Sequence, residues 1–279
     1  MVEIGKVNKL KIVKKSDFGL FLDGGDDGEI LLPKRYVPAD YDLDGELEVF
    51  IYVDSEDRLI ATTETPLAKV GEFASLRVVS LSSVGAFLDW GLPKDLFLPF
   101  AEKTRALRVG ENCLVYLYVD NTGRICASMR VDRYIDKNPS EYTAGQSVDL
   151  IIARQTELGI NAIINGRHWG ILFSNEVFER LIPGQKIKGY IKQVRTDGKI
   201  DLALHKTGTA GADDIAEKIL RALNDEDGYL EINDKTSAEI IYDYFGVSKK
   251  KYKIALGGLY KKRLITVDED GIRLVPQKK

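Results

Sequence analysis

The 279-residue chain has only two cysteines, Cys113 and Cys126, and two histidines, His168 and His205. No CxxC pair occurs, so a tetrahedral Cys/His zinc site is not expected, and neither metal nor cofactor is anticipated. Two small buried thiols in a reducing compartment are the simpler reading. No stretch approaches the run of roughly 20 apolar residues that spans a bilayer. The opening MVEIGKVNKLKIVKK lacks an apolar core with a small-residue cleavage site, so no signal peptide is read there. These absences point to a cytoplasmic protein with no membrane partner. Phosphate-loop, zinc-protease and nucleophile-elbow motifs are missing. The acidic clusters Asp26–Asp27 and Asp268–Glu269–Asp270 fall in expected turns, not on rigid elements converging on a two-metal site. A non-enzymatic protein follows.

Charge of one sign is also lacking. The net charge is −3 and the pI about 5.7, which does not advertise a polyanion partner. The charge is unevenly placed. Residues 1–65 carry −7, residues 66–140 and 141–207 carry +2 each, and residues 208–279 are neutral. Phosphate binding would have to use local clusters.

What is present is a repeat. Gly5, Gly71 and Gly145 are each followed after 14 residues by Gly19, Gly85 and Gly159, and 25 or 26 residues later by Gly45, Gly110 and Gly184. Alternating apolar runs follow the first glycines (KVNKLKIV, EFASLRVV, QSVDLIIA). Shorter ones recur at FGLFLD, VGAFLD and LGINAI, then at EILLPKR, DLFLPFAE and GILFSNE. With the further runs GELEVFIYVD, GENCLVYLYVD and GQKIKGYIKQV and the closing RLIAT, RICAS and KIDLAL, each module carries five short strands with glycine at the bends. The expected fold is multidomain and mainly β. Three tandem five-stranded, partly open OB-fold barrels cover 1–65, 66–140 and 141–207, with an SH3-like barrel or an unrelated meander as the alternative.

Residues 208–279 break the pattern. Helices are expected over 213–224, 237–246 (N-cap Ser237, terminator Gly246) and from Ser248 to Arg263, with a strand at YLEIN (229–233) and a hairpin over 264–275. That order is an α+β winged helix-turn-helix domain. The segments 63–70, 132–142 and 205–214 read as connections.

These modules resemble the S1 RNA-binding domain. FGLFLD and VGAFLD fit its second element, GILFSNE its third, and DSEDRLI (54–60) and DNTGRIC (120–126) its last. Three such barrels before a winged helix are similar to the bacterial conserved virulence factor B family of RNA-binding regulators. The resemblance implies stacking aromatics with nearby cations. It places Phe18, Phe21 and Arg58 in the first barrel, with Asp54 four residues before Arg58. In the second it places Phe87 and Arg124, with Asp120. In the third it places Phe173 at the family's histidine, with Arg195 and Lys199. The family histidine would be Leu32 and Leu98 in the first two barrels, and the aromatics are lost at Val84, Leu158 and Asn161. The 165–170 loop (NGRHWG) offers Arg167, His168 and Trp169 as an exposed patch. Barrel core rivals this reading for Phe18 and Phe21, and a domain-interface plug rivals it for His168 and Trp169.

Lys249, Lys250, Lys251, Lys253, Lys261, Lys262 and Arg263 lie in fifteen residues without an acidic one. They read as nucleic-acid contacts or as a solvated face. The expected partner is single-stranded RNA, bound by a monomer with little base specificity in post-transcriptional regulation. DNA binding through the winged helix, or a protein scaffold with degenerate barrels, are the alternatives.

Overall fold

The computed structural model describes every residue except 139–141, 175–176, 178–179, 205–208 and 276–279, and residues 209–214 by backbone alone. Its contacts divide the chain into two units: Met1–Asp136 with Ile182–Gln185, and Lys137–Leu181 with Lys186–Lys279.

Alternating apolar runs form strands as expected. The first barrel comprises β1 (Val7–Ser16), β2 (Gly19–Asp23), β3 (Glu29–Pro33), β4 (Glu46–Val53) and β5 (Leu59–Thr62). The second comprises β6 (Phe73–Leu81), β7 (Gly85–Asp89), β8 (Leu96–Pro99), β9 (Asn112–Val119) and β10 (Ile125–Ser128). The third comprises β11 (Ser147–Gln155), β12 (Gly159–Ile164), β13 (His168–Phe173), β14 (Lys186–Val194) and β15 (Ile200–Ala203). Each barrel is closed rather than partly open. Its third and fifth strands pair in parallel and its other pairs are antiparallel. This order is the OB arrangement and sets aside the SH3-like alternative.

Two repeated devices curve these short sheets. In the first strand of every barrel the register slips by one residue, between Ile12 and Lys14, Val78 and Ser80, and Ile152 and Arg154. That bulge bends a long strand so that it pairs with two partners. The second device is the glycine opening the second strand. A Cβ at Gly19, Gly85 or Gly159 would lie 2.0, 2.2 or 2.1 Å from the carbonyl oxygen of Leu32, Leu98 or Leu172. Glycine stands there because the third strand's backbone occupies the side-chain space.

The first two barrels share packing within their unit. β4 has four successive buried residues, Val49 to Tyr52, where β9 alternates. The reason is Trp90, whose indole meets the rings of Phe50 and Tyr52 edge-on at 5.7 and 6.4 Å. Burial pushes the Tyr52 hydroxyl up to about 12.

The winged helix follows as α1 (Thr209–Asp225), β16 (Tyr229–Leu230), α2 (Ala238–Phe245), α3 (Lys249–Lys261), β17 (Ile265–Val267) and β18 (Ile272–Leu274). Ser237 and Ser248 accept from the N–H groups of Ile240 and Lys251, capping α2 and α3, and Gly246 ends α2 at φ 68°. Two expectations change. The segment 205–214 is not all linker, because α1 begins at Thr209, while residues 205–208 lie outside the described residues. The strand expected over 229–233 stops at Leu230, and Asn233 instead donates its side-chain amide to the carbonyls of Asp268 and Glu269. Of the connection expected over 132–142, residues 139–141 also lie outside the described residues.

Candidate nucleic-acid interface

Period-two alternation gives each strand one core face and one outer face. On the first barrel, Phe21 is half-buried on the outer face of β2 opposite Leu31, with Lys14 Nζ 4.8 Å from its ring centroid. Phe18 sits in the turn before β2, is 75% exposed, and its carbonyl accepts from the Lys34 N–H. Neither ring belongs to the barrel core. Arg58 is exposed, but its guanidinium is occupied: Nε and Nη2 reach Asp54 Oδ2 at 3.0 and 2.8 Å, and Nη1 reaches Glu56 at 3.0 Å.

The second barrel repeats this plan with more rings than its motif predicts. Phe87 faces Phe97 across the strands, with ring centroids 5.5 Å apart. Phe100 is 66% exposed and carries Lys103 Nζ 5.2 Å from its centroid. Its N–H donates to the Val84 carbonyl, as that of Lys34 does to Phe18, so Phe100 supplies at this corner the ring that Val84 lacks. Neither Phe97 nor Phe100 is among the expected site residues; alternation through LFLP is the signal that could have found Phe97, whereas the role of Phe100 needed the turn geometry.

Arg124 is held by Asp120 much as Arg58 is by Asp54, with Nη2 and Nε 3.0 and 3.2 Å from Oδ2. Desolvation pushes the Asp120 carboxyl up. Hydrogen bonds from the Thr122 hydroxyl, the Arg124 and Thr122 N–H groups and the Arg124 side chain outweigh it, and the carboxyl stays well below its usual range. A depressed carboxylate stabilises the fold above its unfolded pKa, and that stability is lost as pH falls toward the folded pKa. Asp120→Asn is therefore expected to cost about 2 kcal/mol at pH 7. The gap from wild type should narrow below about pH 4, as urea unfolding at both pH values will read.

The third barrel requires corrections. The 165–170 segment is not an exposed loop. Asn165 and Gly166 both have positive φ, 49° and 66°, and make the tight turn of a hairpin whose second strand starts at His168. Alternation along β13 turns His168, Gly170 and Leu172 inward and Trp169, Ile171 and Phe173 outward. His168 is 6% exposed, and its Nδ1 lies 3.1 Å from the Tyr142 hydroxyl, so it cannot stack on a base or meet a phosphate as expected. Trp169 is half-buried with the Arg154 guanidinium 5.7 Å from its ring, while Arg167 is exposed in the turn.

The register corrects one alignment as well. Phe173 pairs with Gly159 as Pro33 pairs with Gly19 and Pro99 with Gly85. Its equivalents are therefore the two prolines. Leu32 and Leu98 match Leu172 and are core. A one-residue slip exchanges the faces of a strand. Around Phe173 lie Arg195 and Lys192, 5.4 and 5.9 Å from its centroid. Arg195 Nε is 2.8 Å from Asp201 Oδ1, and Lys199 Nζ is 3.0 Å from Asp197.

In the winged helix, α3 buries Tyr252, Ala255, Leu256 and Leu259 and turns its cations outward. Two of them are engaged locally: Lys249 Nζ donates to the Lys235 carbonyl at 3.1 Å, and Lys253 pairs with Asp234 at 3.4 Å. Lys250, Lys251, Lys261, Lys262 and Arg263 are exposed. Ile254 and Tyr260, both 58% exposed, stand among them.

Among the described residues no group of His, Cys, Asp and Glu could hold a metal ion, and no helix is long and apolar enough to cross a membrane. Burial pushes the two free thiols up, Cys113 to about 11 and Cys126 to about 12, which leaves them unreactive at neutral pH.

The S1 domain family model matches residues 4–64 and 70–130, and the CvfB-like winged helix domain model matches residues 217–274. The chain is 31% identical to the uncharacterized protein YitL of Bacillus subtilis, over 92% of this chain and 89% of that protein. It is 24% identical to conserved virulence factor B of Staphylococcus epidermidis, over 97% and 94% of the two chains. The chain belongs to the conserved virulence factor B family. A solved multidomain protein with nucleic acid binding domains from Streptococcus pneumoniae is 24% identical, covers 98% of both chains and superposes with a TM-score of 0.45. Within the family architecture, the first two barrels carry the matched S1 pattern, and the third shares their closed five-strand topology.

Proposed function

We propose that this member of the conserved virulence factor B family binds single-stranded RNA and acts in the cytoplasm, as a monomer, in post-transcriptional regulation. One observation carries the reading: on all three barrels a ring outside the core is accompanied by a cation, Lys14 at Phe21, Lys103 at Phe100 and Arg195 at Phe173. A ring offers stacking of about 1–3 kcal/mol per base, open to any base, and a cation beside it suits the phosphate or the polar edge of the stacked base. Such contacts carry little sequence information. The regulatory part of the reading rests on kinship with proteins named as virulence factors.

The acidic tip of the wing, Asp268–Glu269–Asp270, disfavours the rival reading of duplex DNA, because a wing at a duplex lies against phosphates. Titrating short poly(U) and poly(A) by fluorescence anisotropy at two salt concentrations tests the proposal. Affinity should fall with salt at a slope near −0.7 per phosphate contacted. Absence of binding at low salt, or duplex DNA displacing the RNA, would refute it.

A further inference from the structure

The third barrel differs from the others in how its arginine is held. In barrels one and two the hairpin between the fourth and fifth strands opens on an aspartate, Asp54 or Asp120, whose N–H donates to the carbonyl of an arginine four residues on. That arginine turns back, and its terminal Nη2 and its Nε both contact the aspartate. The forks of Arg58 and Arg124 are thus directed into their own turns.

In the third barrel the signs are exchanged. Arg195 occupies the aspartate's place, since its N–H donates to the Lys199 carbonyl at 2.8 Å. Its anion is Asp201, which pairs in register with Ile171 on β13, as Ile60 pairs with Leu31 and Cys126 with Phe97. Asp201 is 2% exposed and is the only fully buried carboxylate among the described residues. It receives the Gln193 side-chain amide on Oδ2 at 2.6 Å, while Oδ1 has no hydrogen bond among the described residues and lies 2.8 Å from Arg195 Nε as an ion-pair contact. A buried carboxylate held by one amide donor and one ion pair is an anchor. It fixes the inner end of the guanidinium and leaves both Nη groups unbonded among the described residues.

That fork lies beside an aromatic platform. The guanidinium carbon is 5.4 Å from the Phe173 centroid, more than the roughly 3.5–4 Å of direct face contact. Neither the guanidinium nor Lys192 Nζ, 5.9 Å from the same centroid, is packed flat against the ring, which leaves ring surface for a base. A base stacked on Phe173 presents an edge to two parallel donors. The matching edge is a pair of adjacent acceptors, which guanine offers at O6 and N7 and cytosine at O2 and N3; of the two, the purine covers more of the phenyl ring when stacked. Adenine puts an amino donor beside N7 and would set donor against donor.

We propose that the third barrel prefers guanine at one nucleotide, with the Arg195 fork reading O6 and N7 of a base stacked on Phe173 and Asp201 acting as the positioning residue. This rests on the reading of the chain as a single-stranded RNA binder and adds one specific subsite to an otherwise tolerant surface. Full-length protein is titrated with a short poly(A) oligomer and with the same oligomer carrying one central guanine, at low salt. The guanine oligomer is expected to bind about tenfold more tightly. Inosine at that position, which keeps O6 and N7, should retain the gain, and 7-deazaguanine, which lacks N7, should lose most of it. Arg195→Lys keeps the charge without the fork, and Asp201→Asn releases the fork from its anchor. In both, the guanine preference should fall to near unity because the guanine oligomer loses more affinity than poly(A) does, with melting curves to verify folding. An equal affinity of wild type for both oligomers overturns the proposal, as does a preference that survives Arg195→Lys. Equal weakening of every oligomer by Arg195→Lys overturns it too, because Arg195 would then be a phosphate contact. Failure to bind any single strand would instead remove the underlying reading together with this one.

Discussion

Replacing Lys250, Lys251, Lys261 and Lys262 with glutamate should lower affinity for single-stranded RNA at low salt by about a hundredfold or more, and flatten the salt dependence by up to about three logarithmic units of slope. The argument begins with helix electrostatics. The first turn of α3 is Lys249–Lys250–Lys251 behind the Ser248 cap, which puts three cations at the positive end of a helix dipole. Each such placement costs about 0.3–1 kcal/mol where an acidic residue would help. Lys249 recovers part of this through the Lys235 carbonyl, but Lys250 and Lys251 have no ion-pair partner among the described residues. A sequence that breaks a local rule without an internal compensation points to an external one. Stability and affinity should therefore part company. Lys250→Glu with Lys251→Glu alone should raise the melting temperature by a degree or more, since the dipole now favours the charge, and still weaken RNA binding. Calorimetry beside anisotropy reads both. A parallel loss of stability and binding would make the lysines structural, and unchanged binding would leave the barrels as the whole interface.

The architecture was legible because its signals have direct physical causes. The second glycine of each 14-residue pair marks a point where one strand's backbone fills another residue's Cβ space, and two serines cap α2 and α3. The hairpin staples were not legible as such: Arg58 and Arg124 are expected to face RNA, and the aspartates four residues before them hold their guanidinium groups instead. The binding face was harder to read. The Asn165–Gly166 dipeptide announced a hairpin, yet Arg167, His168 and Trp169 look polar enough to be a loop. The burial of His168 depends on Tyr142, 26 residues away, which no local pattern reveals. The Phe173 alignment failed by a single residue, which in a strand is a whole face. Phe50 and Tyr52 belong to a contact between barrels, and the non-alternating VFIY run was its only trace. Arg195 looked like a departure from pattern, and its partner Asp201 is visible only once β14 and β15 are paired.

Gly85→Ala is expected to destabilise the second barrel by about 3 kcal/mol or more, although it adds one methyl group. The cause is not backbone preference, because Gly85 does not occupy the left-handed region. Its Cβ would stand 2.2 Å from the Leu98 carbonyl oxygen and 2.8 Å from Phe97 Cε2. The phenyl ring can move, but the carbonyl belongs to a strand paired from Gly85↔Pro99 to Leu88↔Leu96, and moving it opens that ladder. Gly123→Ala is the control. Gly123 has φ 79° and nothing near its Cβ position, so alanine there incurs only the left-handed backbone cost of about 1–2 kcal/mol. Denaturant unfolding should rank Gly85→Ala well below Gly123→Ala, and equal effects would show that the strands yield more easily than their pairing implies. The ladder at risk also sets Phe87 opposite Phe97 and ends beside Phe100. Loss of stability in Gly85→Ala should accordingly bring a loss of RNA affinity, even under conditions where the barrel remains folded, because the glycine that lets the barrel close also brings its rings onto one face.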